Sequence, residues 1–92
     1  MYTLTDLRLA PIIHTDTGDF LSIDNKPQRE FYVKGTITKK RAGLFFLDID
    51  GESYSFRAKP GFTIDQDVKV LLELHVQDHK HTFTVKNIEP LN

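Results

Sequence analysis

Apolar and polar residues alternate with a period of two through the central third of the chain. In the first run, Phe31, Val33 and Ile37 fall on one face of an extended strand, and polar side chains fall on the other. Residues 44–49 and 52–58 have the same strand-like character. The pattern predicts a three-stranded antiparallel meander.

Two glycine-containing turns separate these strands. Residues 40–43 supply the first turn, and Asp50-Gly51 supplies the second. Asp-Gly is a strong hairpin signal, because a type I′ turn needs positive φ at both central positions. We therefore expect tight hairpins at both places.

Two further strands are predicted after the meander. Pro60-Gly61 ends the third strand, and residues 62–67 have room for at most one helical turn. The apolar positions 68, 70, 72, 74 and 76 alternate with 69, 71, 73 and 75, residues 77–80 form a polar turn, and residues 82–88 return with Phe83 and Val85 inward. Five strands with a break after the third predict an all-β, five-stranded barrel, either OB-fold-like or SH3-like.

Four segments resemble the OB-fold domains of the tRNA-anticodon-binding and DNA-binding type. They are V-x-G-x-I at 33–37, L-F-F-L-D-I-D-G-E at 44–52, V-K-V-L-L-E-L at 68–74 and F-T-V-K-N-I-E-P-L at 83–91. The chain departs from that pattern between the third and fourth strands, where many OB folds place a helix. The resemblance implies a nucleic-acid-binding barrel whose ligand face lies between the turns at 39–43 and 77–81.

The first thirty residues are less regular. The leucines before Pro11 fit a helix poorly, residues 12–13 and 20–23 suggest a hairpin around Thr17-Gly18-Asp19, and residues 25–28 form a polar break. We therefore divide the chain into an N-terminal extension, 1–30, and a barrel, 31–92. The extension would either close the barrel or mediate self-association.

Composition narrows the class of protein. Ninety-two residues suffice for one modest core. The absence of cysteine excludes disulfides, thiolate metal sites and a cysteine nucleophile. There is no basic region followed by an apolar run at the N-terminus, so we expect a cytoplasmic protein without membrane contact.

Positive charge is concentrated on the predicted meander. The whole chain has a formal net charge of −1, yet residues 26–59 carry eight cations against four acids, a net +4. The segments before and after them are acidic. This asymmetry suggests a binding face for an anion, although lysine also protects exposed strand edges from pairing.

The second strand is apolar on both faces. If Phe45, Leu47 and Ile49 fill the core, then Phe46 points outward, close to Tyr32 on the neighbouring strand. Aromatic rings that stack on bases, flanked by cations that contact phosphates, are typical of single-stranded nucleic-acid sites. The predicted nucleic-acid-binding residues are Tyr32, Lys34, Lys39, Lys40, Arg41, Phe46, Arg57 and Lys59. Alternatively, the N-terminal thirty residues pack over Phe46 and Leu44.

Other chemistry is less well supported. His75, His79 and His81 suggest a surface cluster rather than a metal site, and Asp48 with Asp50 has no third group to form a catalytic set. We expect neither an enzyme nor a metal or other cofactor.

Two functions remain open. The first is binding of single-stranded DNA or RNA. The second is a protein-interaction module, such as an assembly subunit, an inhibitor or a phage or plasmid accessory factor. A homodimer is compatible with either, because a second copy could cover the apolar outer side of the second strand.

Overall fold

The computed structural model describes residues 1–16, 18–78 and 80–91. Thr17, His79 and Asn92, which belong to the predicted N-terminal turn, histidine cluster and C-terminal boundary, lie outside the described residues. The elements are α1 (Leu4–Leu9), β1 (Ile12–Thr15), β2 (Gly18–Ile23), β3 (Lys26–Gln28), β4 (Glu30–Arg41), β5 (Leu44–Ile49), β6 (Glu52–Arg57), β7 (Asp67–Gln77) and β8 (Lys80–Pro90). The fold is therefore nearly all β.

Two antiparallel sheets make up the fold. The small sheet has the order β1-β2-β3, and the large one has the order β6-β5-β4-β7-β8. The large sheet curls into a half-barrel. Its middle strand, β4, is the first strand of the predicted meander, so the meander occupies one side of the sheet and the β7–β8 hairpin the other.

Strand β4 changes its main partner along its length. Residues 30–36 pair with β7, whereas residues 36–41 pair with β5. A bulge inserts Thr38 between Ile37, which opposes Leu47, and Lys39, which opposes Phe46. Just before the start of β7, Asp65 N donates to Ile37 O (2.7 Å), and Ile37 N donates to Gln66 O (2.9 Å). The bulge bends the strand and re-aims the side chains that follow it.

The expected tight turns are present. Ala42 and Gly43 have φ values of 49° and 81°, and Asp50 and Gly51 have values of 51° and 84°. Positive φ at both central residues is the type I′ signature, whose twist matches that of the flanking strands. Asp48 Oδ1 also accepts a hydrogen bond from Gly51 N (2.8 Å), which fixes the second turn.

The core lies on the concave face of the large sheet. The predicted inward residues of the meander are buried, with Phe31, Val33 and Ile37 no more than 1% exposed. The core cluster comprises Leu4, Leu7, Leu21, Phe31, Val33, Ile37, Phe45, Leu47, Ile49, Val68, Val70, Leu72, Leu74, Phe83, Val85 and Ile88. The alternation predicted for residues 68–76 is confirmed as far as Leu74, and Val76 is half-buried against the core.

A second bulge, in β8, changes which side chains of that strand face the core. Leu71 opposes Asn87 and Leu72 opposes Val85, so β8 has one extra residue at Lys86. This insertion brings both Val85 and Ile88 to the buried face, although three positions separate them.

The expectation that the first leucines form no helix is wrong. Thr3 caps α1, because its hydroxyl accepts from Asp6 N and the Asp6 carboxylate accepts from Thr3 N, both at 3.1 Å. This capping box satisfies free backbone donors at the helix start. Leu4 and Leu7, one turn apart, are both buried. Tertiary packing therefore stabilises a helix that is too short to be stable alone.

The prediction of a polar break at residues 25–28 is only partly confirmed. Asp24 and Asn25 form a turn with positive φ, and Lys26–Gln28 return as β3. Pro27 is tolerated there because β3 is the edge strand of the small sheet.

The N-terminal segment is fastened to the β5–β6 turn. Leu4 N donates to Asp50 Oδ2 (2.7 Å), and the Arg8 guanidinium forms a two-pronged ion pair with the Glu52 carboxylate. Tyr2 adds a bridge along β4, with its N donating to Tyr32 O (3.0 Å). These contacts place α1 over the concave side of the half-barrel.

The large sheet does not close into the expected barrel. Among the described residues, β6 and β8 approach each other but share no ladder of hydrogen bonds. Phe56, Phe62 and Ile88 line the space between the two strands, together with residues 58–61. Across residues 1–16, 18–78 and 80–91, no helix has the length and apolar character needed to cross a bilayer.

Gly35 lies where β4 passes closest to its neighbours. A Cβ built there would meet Val70 Cγ2 at 3.0 Å and Ile49 Cγ1 at 3.2 Å. Both neighbours are fully buried and have little room to move. We expect Gly35→Ala to lower the free energy of unfolding by about 1–3 kcal/mol, as overpacking does. Urea denaturation measures the change.

The control for this prediction is Ser53→Ala, an exposed strand position that should change stability by less than about 0.5 kcal/mol. A Gly35→Ala protein as stable as that control would contradict the close approach.

The ion pair between Arg8 of α1 and Glu52 leads to a second prediction. The hydrogen bond from Arg8 holds the pKa of the Glu52 carboxyl below its usual value. The pair therefore stabilises the fold at pH values above the unfolded carboxyl pKa, and this stabilisation is lost as the pH falls through the lower folded pKa. Arg8→Gln should raise the pKa of Glu52 toward its ordinary value, as measured by carbon-detected NMR titration.

Both side chains of the pair are about 40% exposed, so Arg8→Gln should cost less than about 1 kcal/mol. Lys80→Gln removes a cation on the distant β7–β8 turn and should leave the titration of Glu52 unchanged. An unaltered Glu52 titration in Arg8→Gln would show that the pair does not form in solution.

Candidate nucleic-acid interface

The outer, convex face of β4, β5 and β6 presents an aromatic ring beside a cation. Phe46 is half-buried and opposes Lys39 on one side and Ser55 on the other. The Lys39 ammonium lies 5.7 Å from the centre of the Phe46 ring. At that distance the ring and the charge attract each other weakly, and both remain accessible at the surface.

Two arginines continue this surface toward the β4–β5 turn. Leu44 opposes Arg41 on β4 and Arg57 on β6, so all three side chains share a row. The Arg57 guanidinium donates to Ala42 O (3.1 Å), which holds it against the turn. We call the five residues Lys39, Arg41, Leu44, Phe46 and Arg57 the Phe46 patch.

A second cation–aromatic pair lies farther along β4. Tyr32 is exposed, and the Lys69 ammonium sits 4.1 Å from the centre of its ring. Lys34 follows on the same face, 3.5 Å from the Asp67 carboxylate. We call Tyr32, Lys34 and Lys69 the Tyr32 patch.

The expected proximity of Phe46 and Tyr32 is wrong. Phe46 opposes Lys39, and seven positions along β4 separate Lys39 from Tyr32, about 20 Å at the rise of a strand. The ladder between β4 and β5 also ends at Thr36, so β5 does not reach Tyr32. The alternation of the sequence predicts the face on which each ring lies. The distance between the two rings depends on the register in which the strands pair.

Acidic residues separate the two patches. Thr36 opposes Asp48 on β5 and Asp67 on β7, and its hydroxyl donates to Asp67 Oδ1 (2.9 Å). Asp48 and Asp67 are both exposed. On this face, cations surround Phe46 and acids flank Thr36, and Glu30, Glu73 and Glu89 lie beside the cations of the Tyr32 patch.

Lys40 and Lys59 lie apart from both patches. Lys40 opposes the buried Phe45, so it faces the concave side, opposite to Lys39. Lys59 follows the end of β6 and borders the space between β6 and β8. The eight predicted residues therefore fall into three groups: four in the Phe46 patch, two in the Tyr32 patch and two at the open end of the half-barrel.

The N-terminal segment does not cover Phe46. Leu4, Leu7 and Leu21 join the core cluster, which is built from the side chains of β5 that face away from Phe46. Leu44 and Phe46 are only half-buried and lie outside that cluster. The alternative that the first thirty residues pack over them is wrong, because the concave face holds those residues.

The two turns expected to flank the ligand lie at opposite ends of the large sheet. The β4–β5 turn extends past the end of β4, whereas the β7–β8 turn extends past its beginning, since Glu73 already opposes Glu30. They would thus bracket a ligand lying along the outer face. His79 of the second turn is outside the described residues.

Three of the remaining candidate groups have structural partners, whereas the buried Nε2 of His81 has no hydrogen-bond partner among the described residues. Asp48 and Asp50 accept backbone hydrogen bonds from Gly51 and Leu4, so each carboxylate fixes a turn or the N-terminal segment. His75 contacts Glu73 (3.2 Å) on the same strand. No set of three metal-ligating side chains comes together within 1–16, 18–78 and 80–91.

Lys69 lies next to a predicted ring, Tyr32, and was not among the predicted site residues. It alternates with Val68 and Val70, so its outward direction was evident, but its position beside Tyr32 depends on the β4–β7 register. That register pairs strands more than thirty residues apart in the chain, and no local turn specifies it.

No family model matches this chain, and no curated protein or solved structure gives a significant match.

The two adjacent phenylalanines of β5 should respond differently to truncation. Phe45 is 3% exposed and packs edge-to-face on Phe62, with ring centres 5.5 Å apart. Phe45→Ala should cost about 3–5 kcal/mol. Phe46→Ala removes a half-buried ring outside the core and should cost about 1 kcal/mol or less. Urea denaturation of both variants measures this difference, and equal losses would place Phe46 in the core.

Proposed function

We propose that the protein binds single-stranded nucleic acid on the outer face of β4, β5 and β6. The observation that carries this proposal is the Phe46 patch, in which an accessible ring and an adjacent leucine are surrounded by three cations on one face. No salt bridge to an acid is found for Lys39, Arg41 or Arg57 within the described residues. Their charge is available to a ligand.

The chemistry of this surface suits a flexible polyanion. A base stacks on an aromatic ring irrespective of its identity, and cations beside the ring contact the flanking phosphates. Three cations around one ring provide both interactions within a single nucleotide step. Phe46 would stack the base, and Lys39, Arg41 and Arg57 would contact phosphates.

The fold supports an OB-like interpretation. Numbering the strands of the large sheet from β4, their order is 3-2-1-4-5, with the first strand central and the third and fifth close together. An OB fold arranges its five strands in this way and binds ligands on the face of its second and third strands. Those strands correspond to β5 and β6, which carry Phe46 and Arg57.

The Tyr32 patch would be a second, weaker part of the site, because Asp48 and Asp67 lie between it and the Phe46 patch. A separation of about 20 Å between the two rings is compatible with a site of several nucleotides, within the range of about 4–16 found for one OB fold. Lys34 is partly neutralised by Asp67, so its contribution to phosphate binding should be smaller than that of Lys39.

The protein-interaction alternative would use the same surface differently. Leu44 and Phe46 are neighbouring apolar side chains on the outer face, and a protein partner or a second copy of the chain could cover them. Burial of apolar area depends little on salt, whereas phosphate binding depends strongly on it. Salt dependence therefore separates the two functions.

The proposal is tested by fluorescence anisotropy of labelled single-stranded DNA and RNA, titrated at low and at physiological salt. Three phosphate contacts predict a slope of about −2 in a plot of log K against log salt concentration, at about −0.7 per contact. Phe46→Ala should weaken binding about 5- to 100-fold, the loss typical of one stacked base. Lys39→Gln should make the slope less negative by about 0.7.

The matched control is Lys26→Gln, which removes an exposed lysine from the small sheet and should leave affinity nearly unchanged. No binding by the wild-type protein at low salt would overturn the proposal. Equal weakening by Lys26→Gln and Lys39→Gln would show non-specific attraction rather than a site on the outer face.

A further inference from the structure

A cleft lies behind the β4–β5 turn, at the open end of the half-barrel. Its volume is about 340 Å³, and it runs between the 40–43 segment and the Pro60–Gly61–Phe62 segment. A second cleft of about 530 Å³ lies between β6 and β8 and shares the Pro60–Gly61–Phe62 segment. The two clefts therefore adjoin at this segment, and we call them together the end groove.

Every charged residue that lines the end groove is a cation. They are Lys40, Arg41, Arg57 and Lys59, and no acidic side chain is among the described lining residues. The chain as a whole has 13 acids and 12 Lys or Arg residues, so this segregation is not a consequence of composition. A cleft lined by charges of one sign concentrates ligands of the opposite sign.

Aromatic side chains form the apolar wall of the groove. Phe62 is half-buried and borders both clefts, and it packs edge-to-face on the buried Phe45. A ring held in this way has little freedom to lose when a ligand stacks on it. The groove therefore suits a ligand that joins a planar or apolar group to an anion.

The groove is continuous with the Phe46 patch. Arg41 and Arg57 flank Leu44 on the outer face, and the same two residues border the two clefts. A polyanion held at the Phe46 patch would thus meet an unbroken series of cations around the β4–β5 turn. This series of cations ends at Lys40 and Lys59.

We propose that the end groove binds the terminal nucleotide of the single strand, with the terminal base against Phe62 and the terminal phosphate beside Lys40. This inference rests on the proposed function. A terminal phosphate carries about −1.5 to −2 charges at pH 7, against one for an internal phosphate, so it gains most from a groove without acids. An internal segment would have to enter and leave the groove, whereas an end needs only to enter.

The test compares the binding of one sequence in four forms: circular, linear with hydroxyl ends, linear with a 5′-phosphate and linear with a 3′-phosphate. Anisotropy competition against a labelled linear strand gives the affinities at physiological salt. We expect one phosphorylated linear form to bind at least fivefold more tightly than the circle. The hydroxyl-ended form should be intermediate.

Two lysine variants on opposite faces of β4 provide the matched pair. Lys40 is exposed, so Lys40→Gln should fold normally, abolish the preference for the phosphorylated end and leave the affinity for the circle unchanged. Lys39→Gln should weaken all four forms by a similar factor and preserve the preference. Phe62→Leu, which retains an apolar side chain against Phe45, should reduce the preference for linear over circular strands.

The outcomes separate this inference from the proposed function. Equal binding of all four forms, or a preference that survives Lys40→Gln, would overturn the inference and leave binding at the Phe46 patch intact. Binding of free mononucleotides without any preference for strand ends would also overturn it. Failure of every form to bind would overturn the proposed function itself.

Discussion

The change of partner along β4 is the constraint on which the rest of this structure depends. One strand pairs with β7 through its first half and with β5 through its second, and the two ladders overlap only at Thr36. Gly35 permits the close approach at the crossover, and the extra residue at Thr38 bends the strand just beyond it. The sheet therefore curls, and a single layer of strands encloses much of its own core.

That curl determines which face of the sheet the N-terminal segment covers. A curled sheet of five strands leaves its concave side partly open, and α1 supplies Leu4 and Leu7 there. The capping box and the contacts to Asp50 and Glu52 hold the helix in position. Because those residues pack on the concave side, Leu44 and Phe46 remain half-buried on an outer face that the described N-terminal residues do not cover.

Local patterns were sufficient to predict most of the fold. Alternation identified the inward residues of β4, β5 and β7, and the positive φ at Asp50 and Gly51 agrees with the turn expected from Asp-Gly. The helix α1 was missed because its two buried leucines acquire their role only by packing on a distant sheet, although Thr3 and Asp6 gave a capping signal. Closure of the barrel was expected from strand number, which does not determine whether β6 and β8 pair.

The candidate site was less predictable, for a physical reason. Alternation predicts which face of the sheet a side chain occupies, but a bulge moves the following side chains to the other face. Only the register of strand pairing shows which side chains are neighbours. The bulge at Thr38 reverses the phase of β4, so Lys39 lies on the outer face beside Phe46 and Lys40 lies on the inner face beside Phe45. The sequence grouped both lysines with Tyr32, whereas the register assigns the three residues to three separate surfaces.

The distribution of acids limits the course of a bound strand. Asp48 and Asp67 flank Thr36 between the two patches, at about half of the 20 Å that separate the rings. This distance of about 10 Å is close to the screening length of about 8 Å at physiological ionic strength. The carboxylates would therefore repel phosphates that cross the gap, while acting only weakly on phosphates at the Phe46 patch. On the other side of that patch, the end groove has cations and no acid among its described lining residues. Under the proposed function, a strand anchored at Phe46 would thus meet repulsion toward Tyr32 and attraction around the β4–β5 turn, which would favour a course toward Lys40.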